Sequence, residues 1–164
     1  MKDAYSFDVD YKSSIKSYNI MFIAYMQLFK KMGLKAIPMK ADTGPIGGDL
    51  SHEFIILADT GESEVYVDKQ LLNIDDSFLK INYNDDLQEK VNKFTSLYAA
   101  TEEKHDVNNF DHKYNTLIKT RGIEVGHIFH FGQKYSLPMR ATISDRVGEN
   151  IPVFMGSYGV GLSR

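Results

Sequence analysis

The sequence predicts an α+β fold, an antiparallel sheet flanked by helices, on three observations. Between Tyr11 and Met32 the apolar positions Ile15, Tyr18, Phe22, Met26 and Phe29 recur at spacings of three and four, one face of a long helix. From Leu34 to Asp68 strand-like runs follow one another with no helical stretch between them, which favours antiparallel pairing. From Ile123 to Met155 the same holds, with short apolar runs separated by glycine-bearing turns.

Each element has its own signals. Residues 1–7 are short and amphipathic, with no helix start, and read as a strand. Asp8 and Asp10 offer two N-caps for the helix that follows. Lys30 and Lys31 sit in its last turn, where they favour the dipole, and Gly33 is its natural stop. Leu34 to Ala41 reads as a strand that Pro38 would push to an edge or a bulge. Asp42 to Leu50 is a loop rich in glycine, His52 to Ala58 a compact strand, and Thr60-Gly61-Glu62 a hairpin turn whose return strand is Glu64 to Asp68. Asp85 to Lys104 reads as a helix with Leu87, Val91, Phe94 and Leu97 on one face, and Lys104 to Asp111 as a loop. Ile123 to Phe131 is a strand and Lys134 to Met139 a connection. Arg140 to Asp145 and Asn150 to Met155 form a hairpin around Arg146-Val147-Gly148-Glu149.

Composition bounds the function classes. The 164 residues suit one domain with a sizeable core, and 43% hydrophobic with 25% charged residues is ordinary for a globular chain. The absence of cysteine excludes a disulfide scaffold and thiolate metal sites. The N-terminus has no leader pattern and no apolar run spans a bilayer, so no membrane role and a cytoplasmic location are expected. A net charge of −3 does not mark a dedicated nucleic-acid binder.

The last nine residues, Gly156-Ser157-Tyr158-Gly159-Val160-Gly161-Leu162-Ser163-Arg164, draw attention as a site. Read as a strand ending near Met155, a glycine turn, and a first helical turn from Val160, the block suits a nucleotide phosphate, because an Arg fork matches phosphate oxygens. The plain alternative is a glycine-rich turn with a surface Arg. The spacing G-x-x-G-x-G is not the dinucleotide fingerprint.

Three further blocks accompany it: Met1-Lys2-Asp3-Ala4-Tyr5-Ser6-Phe7; Ala41-Asp42-Thr43-Gly44-Pro45-Ile46-Gly47-Gly48 with Ser51-His52-Glu53-Phe54; and Gly122-Ile123-Glu124-Val125-Gly126-His127-Ile128-Phe129 with Gly132-Gln133-Lys134-Tyr135-Ser136. In this order the four blocks closely resemble the catalytic domain of bacterial-type prolyl-tRNA synthetases, a class II aminoacyl-tRNA synthetase family. The resemblance covers most of 1–68 and 121–164 and fades between them. In that family an editing domain usually interrupts the core there. Residues 69–121 are too few for one and resemble a truncated insertion within a single catalytic domain over 1–164.

The resemblance implies ATP-dependent activation of proline, with Mg2+ accompanying ATP, and transfer to tRNA(Pro) by an enzyme that works as a homodimer. Arg164 matches the motif 3 Arg on the γ-phosphate, with Gly159 and Gly161 beside the nucleotide. Asp3, Tyr5, Glu53, Glu124, His127 and Ser157 match positions bordering the amino-acid pocket. Each has a plain alternative: Asp3 as a half-exposed strand residue, His127 as a buried histidine, Ser157 as a turn serine, and His52 in place of Glu53 as the residue that faces the site. Counterparts of the motif 2 Arg, the adenine-stacking Phe, the motif 1 helix and the anticodon-binding domain are not found, so the chain reads as an internal piece, expected to be inactive alone. The rival is a non-catalytic synthetase fragment acting as a binding module. A threonine-specific relative would need a cysteine zinc ligand, which is absent. Glu124, His127 and His130 are spaced like metal ligands, but alternation puts the histidines on opposite faces, so no metal is expected. Bringing Glu124 and His127 to one pocket requires a β-bulge, expected at Gly126.

Overall fold

A computed structural model describes residues 1–74, 82–106 and 116–163. Strand β1 (Lys2–Asp8) leads into helix α1 (Tyr11–Lys31), which Asp10 caps by accepting the Ser13 N–H at 2.6 Å. Met32 closes the helix and Gly33, at φ 74°, turns the chain out of it, as the glycine stop predicts. Then come β2 (Ala36–Lys40), a 3-10 turn at Gly44–Ile46, β3 (Leu50–Leu57), β4 (Ser63–Asp68), a 3-10 turn at Lys69–Asn73, α2 (Gln88–Thr95) and β5 (Ala99–Thr101). The long β6 (Leu117–Gly132) precedes the single turn α3 (Ser136–Met139), the small ribbon β7 (Thr142–Ser144) with β8 (Asn150–Pro152), and β9 (Phe154–Val160).

The expected antiparallel sheet flanked by helices is corrected to a mixed arrangement with few helices. Seven strands run in the order β1-β9-β6-β3-β2-β5-β4, and β4 pairs again with β6. That last pairing closes β6, β3, β2, β5 and β4 into a five-stranded ring. Among the described residues, pairing is antiparallel except for a single parallel bridge, Lys40 to Ala100.

The ring explains why β4 does not return beside β3 as a hairpin. Gly122 is bridged to Leu57 of β3 and to Ser63 of β4, which lie on its two sides, so the turn after β3 crosses over β6. Two glycines make the crossing possible. A Cβ on Gly61 would fall 2.2 Å from the Gly122 carbonyl oxygen, and one on Gly122 would fall 2.2 Å from Ile55 Cγ2. Arg121 fastens the crossing by donating from Nε to the Gly61 carbonyl at 2.6 Å.

Three further expectations change. The helix expected over 85–104 is confined to Gln88–Thr95, because Ala99–Thr101 pairs with β4 and bridges to β2. Pro38 lies inside the sheet order rather than on an edge. Its missing N–H is tolerated because β5 meets β2 only at Lys40. The residues after Met155 do not turn. β9 continues through Gly156 and Gly159 to Val160, with Gly161 to Ser163 following as coil and turn, not a helix. Partners on both sides, β1 and β6, satisfy its backbone, and that outweighs the turn preference of glycine.

α1 packs across β1, β9, β6 and β2. Phe22 and Phe29 close on Phe54 at ring distances of 5.5 and 5.8 Å, and Tyr25 joins them at 5.3 Å. Gly126 lets the helix come close, since a Cβ there would meet Phe29 and Tyr25 at 3.2–3.3 Å.

Candidate active site

The face of the sheet turned away from α1 carries the site, and register builds it. Directly opposed residues on neighbouring strands share a face. One row reads Asp3, Gly159, His127, Glu53 across β1, β9, β6 and β3. The next reads Tyr5, Ser157, Phe129, Ser51. Along β9 the two rows have only a glycine and a serine, so this strand is the low floor between Asp3 and Tyr5 on one side and His127 and Phe129 on the other. The Asp3 carboxyl leans over the floor: a Cβ on Gly159 would lie 3.2 Å from its Oδ1.

Glu124 joins by a bulge. Phe54 is opposite Gly126, but Ile55 is opposite Glu124, so Val125 is the extra residue. The expected bulge is therefore present, one position before Gly126. It sends Val125 into the core and brings the Glu124 Oε1 to 3.5 Å from His127 Nδ1. Glu53 Oε1 lies 3.8 Å from the same nitrogen. On the other ring nitrogen, Nε2, the Ser51 hydroxyl sits at 2.5 Å. His127 also stacks on Phe129 at 3.8 Å, and Phe129, Phe131 and Tyr135 continue as an aromatic row.

Glu53 rather than His52 faces this site. Burial pushes its carboxyl up to about 7; His127 opposes the rise, and Glu124 and Glu103 add to it. A carboxyl balanced in this way gains its charge readily when a cation arrives. His52 points the other way, under α1, where Tyr18 meets its Nδ1 at 2.7 Å.

The sequence spacing Glu124, His127, His130 is split as alternation predicts: His130 is buried under α1 against Ser14 Oγ at 2.8 Å. The structure nevertheless gathers Glu53, Glu124 and His127, whose ligand-type atoms lie within 4.8 Å of one another. Three such donors are one fewer than a structural zinc site uses and equal the number of protein ligands in a catalytic one.

The register therefore brings Asp3, Tyr5, Glu53, Glu124, His127, Ser157 and Gly159 together. Gly161 lies just beyond β9, its N–H donated to the Val125 carbonyl at 3.0 Å. Arg164 lies outside the described residues. Ser51 and Phe129 belong to the site without having been singled out in the sequence. The available signal was period two: Ser51 precedes Glu53 by two and Phe129 follows His127 by two.

No protein-family model matches the chain. Named relatives do, along its whole length. It is 58% identical over 170 aligned positions to "Proline--tRNA ligase" of Caulobacter vibrioides (strain NA1000 / CB15N), covering all of this chain and 38% of the relative. The protein of the same name from Maricaulis maris (strain MCS10) is 56% identical over 165 positions, with 37% of it covered. That of Rhodopseudomonas palustris (strain BisB18) is 54% identical over 166, with 38% covered. The chain spans somewhat over a third of the length of these curated relatives. Within that span, its sequence is similar to those of the proteins named "Proline--tRNA ligase" from the first residue to the last.

Proposed function

We propose that this chain forms part of the catalytic core of a proline--tRNA ligase of the class II architecture and supplies one wall and the floor of its amino-acid pocket. The observation that carries the reading is the row Asp3, Gly159, His127, Glu53, joined by Glu124 through the bulge. It sits in a chain that matches the ligases along its whole length.

The reaction joins the carboxylate of proline to the α-phosphate of ATP, expels pyrophosphate, and then passes the prolyl group to the 3′ end of tRNA(Pro). Mg2+ would enter with ATP as part of the nucleotide substrate and would offset the charge of its phosphates. No covalent nucleophile is required, so the work of the chain is positioning and charge. Glu53 and Glu124 offer carboxylates to the secondary ammonium of proline, and Asp3 faces them across the β9 floor. Gly159 and Ser157 leave room for a compact ring. Arg164 is assigned to the γ-phosphate on the strength of its sequence block alone. The working enzyme is a cytoplasmic homodimer in this reading.

The test is proline-dependent ATP–pyrophosphate exchange by the intact enzyme carrying this stretch. Glu53→Gln removes a charged hydrogen bond worth about 1.5–3 kcal/mol, so KM for proline should rise roughly tenfold to a hundredfold. An unchanged KM would remove Glu53 from the pocket. Arg164→Ala should instead raise the KM for ATP.

A further inference from the structure

We propose that Ser51 is a positioning residue of this site: its hydroxyl donates to Nε2 of His127 and thereby fixes the imidazole proton on Nδ1, between the carboxyls of Glu53 and Glu124. The role rests on the proposed function, whereas the hydrogen-bond assignment behind it does not.

Neutral imidazole has one N–H and one lone pair, and the partners of the ring decide which nitrogen carries which. Nδ1 of His127 faces Glu124 Oε1 at 3.5 Å and Glu53 Oε1 at 3.8 Å. Above about pH 7, where Glu53 is ionised, its carboxylate only accepts, so a lone pair on Nδ1 would face acceptors on both sides. The proton therefore belongs on Nδ1, and Nε2 needs a donor. Ser51 supplies it, with Oγ at 2.5 Å. The serine is 5% exposed and shares a strand face with Glu53, so one strand places both the donor and a carboxylate.

His130, three residues further along β6, shows the opposite solution. Its Nε2 lies 2.8 Å from Ser14 Oγ, but that hydroxyl already donates to the Tyr11 carbonyl at 2.8 Å. Ser14 can therefore only accept from His130, which puts the proton on Nε2 even though Asp49 Oδ2 lies 3.6 Å from Nδ1. The same pair of residue types yields opposite tautomers because the two serine protons have different destinations.

The consequence for the site is geometric. With Nδ1–H turned toward them, Glu53 and Glu124 face the positive end of one N–H dipole and keep oxygens free for a cationic substrate. With the proton on Nε2, the ring would present a lone pair to both carboxylates and drive them apart.

Long-range 15N–1H correlation of the histidine rings, at mildly alkaline pH, tests this on the full chain. The His127 signal is the one lost in His127→Gln. Its Nδ1 should be protonated and its Nε2 bare, with His130 reversed. Ser51→Ala, which leaves Nε2 without its donor, should raise the share of His127 protonated on Nε2 while His130 keeps its pattern, and Ser51→Thr should restore the wild-type pattern. In the intact enzyme, Ser51→Ala should raise KM for proline about tenfold, with kcat within about twofold, and Ser51→Thr should recover it. Wild-type His127 protonated on Nε2 would overturn the proposal before any variant is made. So would a His127 ring unchanged in Ser51→Ala with His130 intact. The expected tautomers in a protein whose His127 signals ignore added L-proline would uphold the Ser51 assignment and count against the proline reading.

Discussion

The two faces of one sheet use the same residue types to opposite ends. Under α1, His52 and His130 are 3% and 1% exposed, each meeting a helix hydroxyl, Tyr18 or Ser14, and they serve packing. On the far face, one residue along β3 and three back along β6, Glu53 and His127 are partly exposed and face each other at 3.8 Å. His52 and His130 are closed off under the helix, where burial lowers the pKa of each, whereas the His127 side chain is 17% exposed beside two glutamates, on the face open to a ligand. The surroundings, which strand parity assigns, decide the role; the residue type does not.

The largest effect that would sharpen this contrast is on the covered face. Phe22 is fully buried between Phe54, Phe94 and His52. Phe22→Ala should cost about 3–5 kcal/mol in urea unfolding, whereas Glu53→Gln should leave the fold standing and strike KM. Equal stability losses from the two would break the division between a packing face and a binding face. Tyr18→Phe comes next. It strips the phenol from Nδ1 of His52, whose Nε2 already lacks a partner, and should cost about 1–3 kcal/mol by the same measurement.

The faces should also answer pH in opposite directions. Burial, aided by Lys40 and His127, lowers His52 from 6.5 to about 4, so the unfolded chain binds the extra proton. Its contribution to stability is intact above about 6.5 and is lost as pH falls toward 4. Glu53 is raised from 4.5 to about 7, so the folded chain holds the extra proton, and stability is lost as pH rises from 4.5 through 7. Urea midpoints followed over this range should lose their acid limb in His52→Gln and their alkaline slope in Glu53→Gln. A shared response to both substitutions would show that the two groups titrate as one system. The smallest effect is at the rim: Tyr5 is 62% exposed, and Tyr5→Ser should change stability by no more than about 0.5 kcal/mol.

Local features were legible wherever the physics is local. Asp10, the apolar face from Ile15 to Phe29 and Gly33 delimit α1 to within a residue, because cap, periodicity and stop lie within the helix itself. The β7–β8 ribbon follows from its turn, where Asp145 Oδ1 accepts the Val147 and Glu149 N–H groups at 2.9 Å. Legibility fails where partners are distant. Ala99–Thr101 has no strand signal of its own and is a strand because β4 and β2 lie beside it. Gly156 and Gly159 read as a turn until β1 and β6 claim them from both sides.

The same division holds for the site. The sequence by itself determined which residues carry its charge, that Asp3 and Tyr5 share a face, and that His52 and Glu53 do not, since these follow from residue identity and a two-residue period. Only the tertiary structure decided that Asp3, Gly159, His127 and Glu53 form one row, that Val125 is the residue displaced to admit Glu124, and that Ser51 reaches the His127 ring. Register between strands whose partners lie as far apart as Lys2 and Val160 is fixed by the packing of α1 and the crossing at Gly61 and Gly122, and neither leaves a local mark on the strands it aligns.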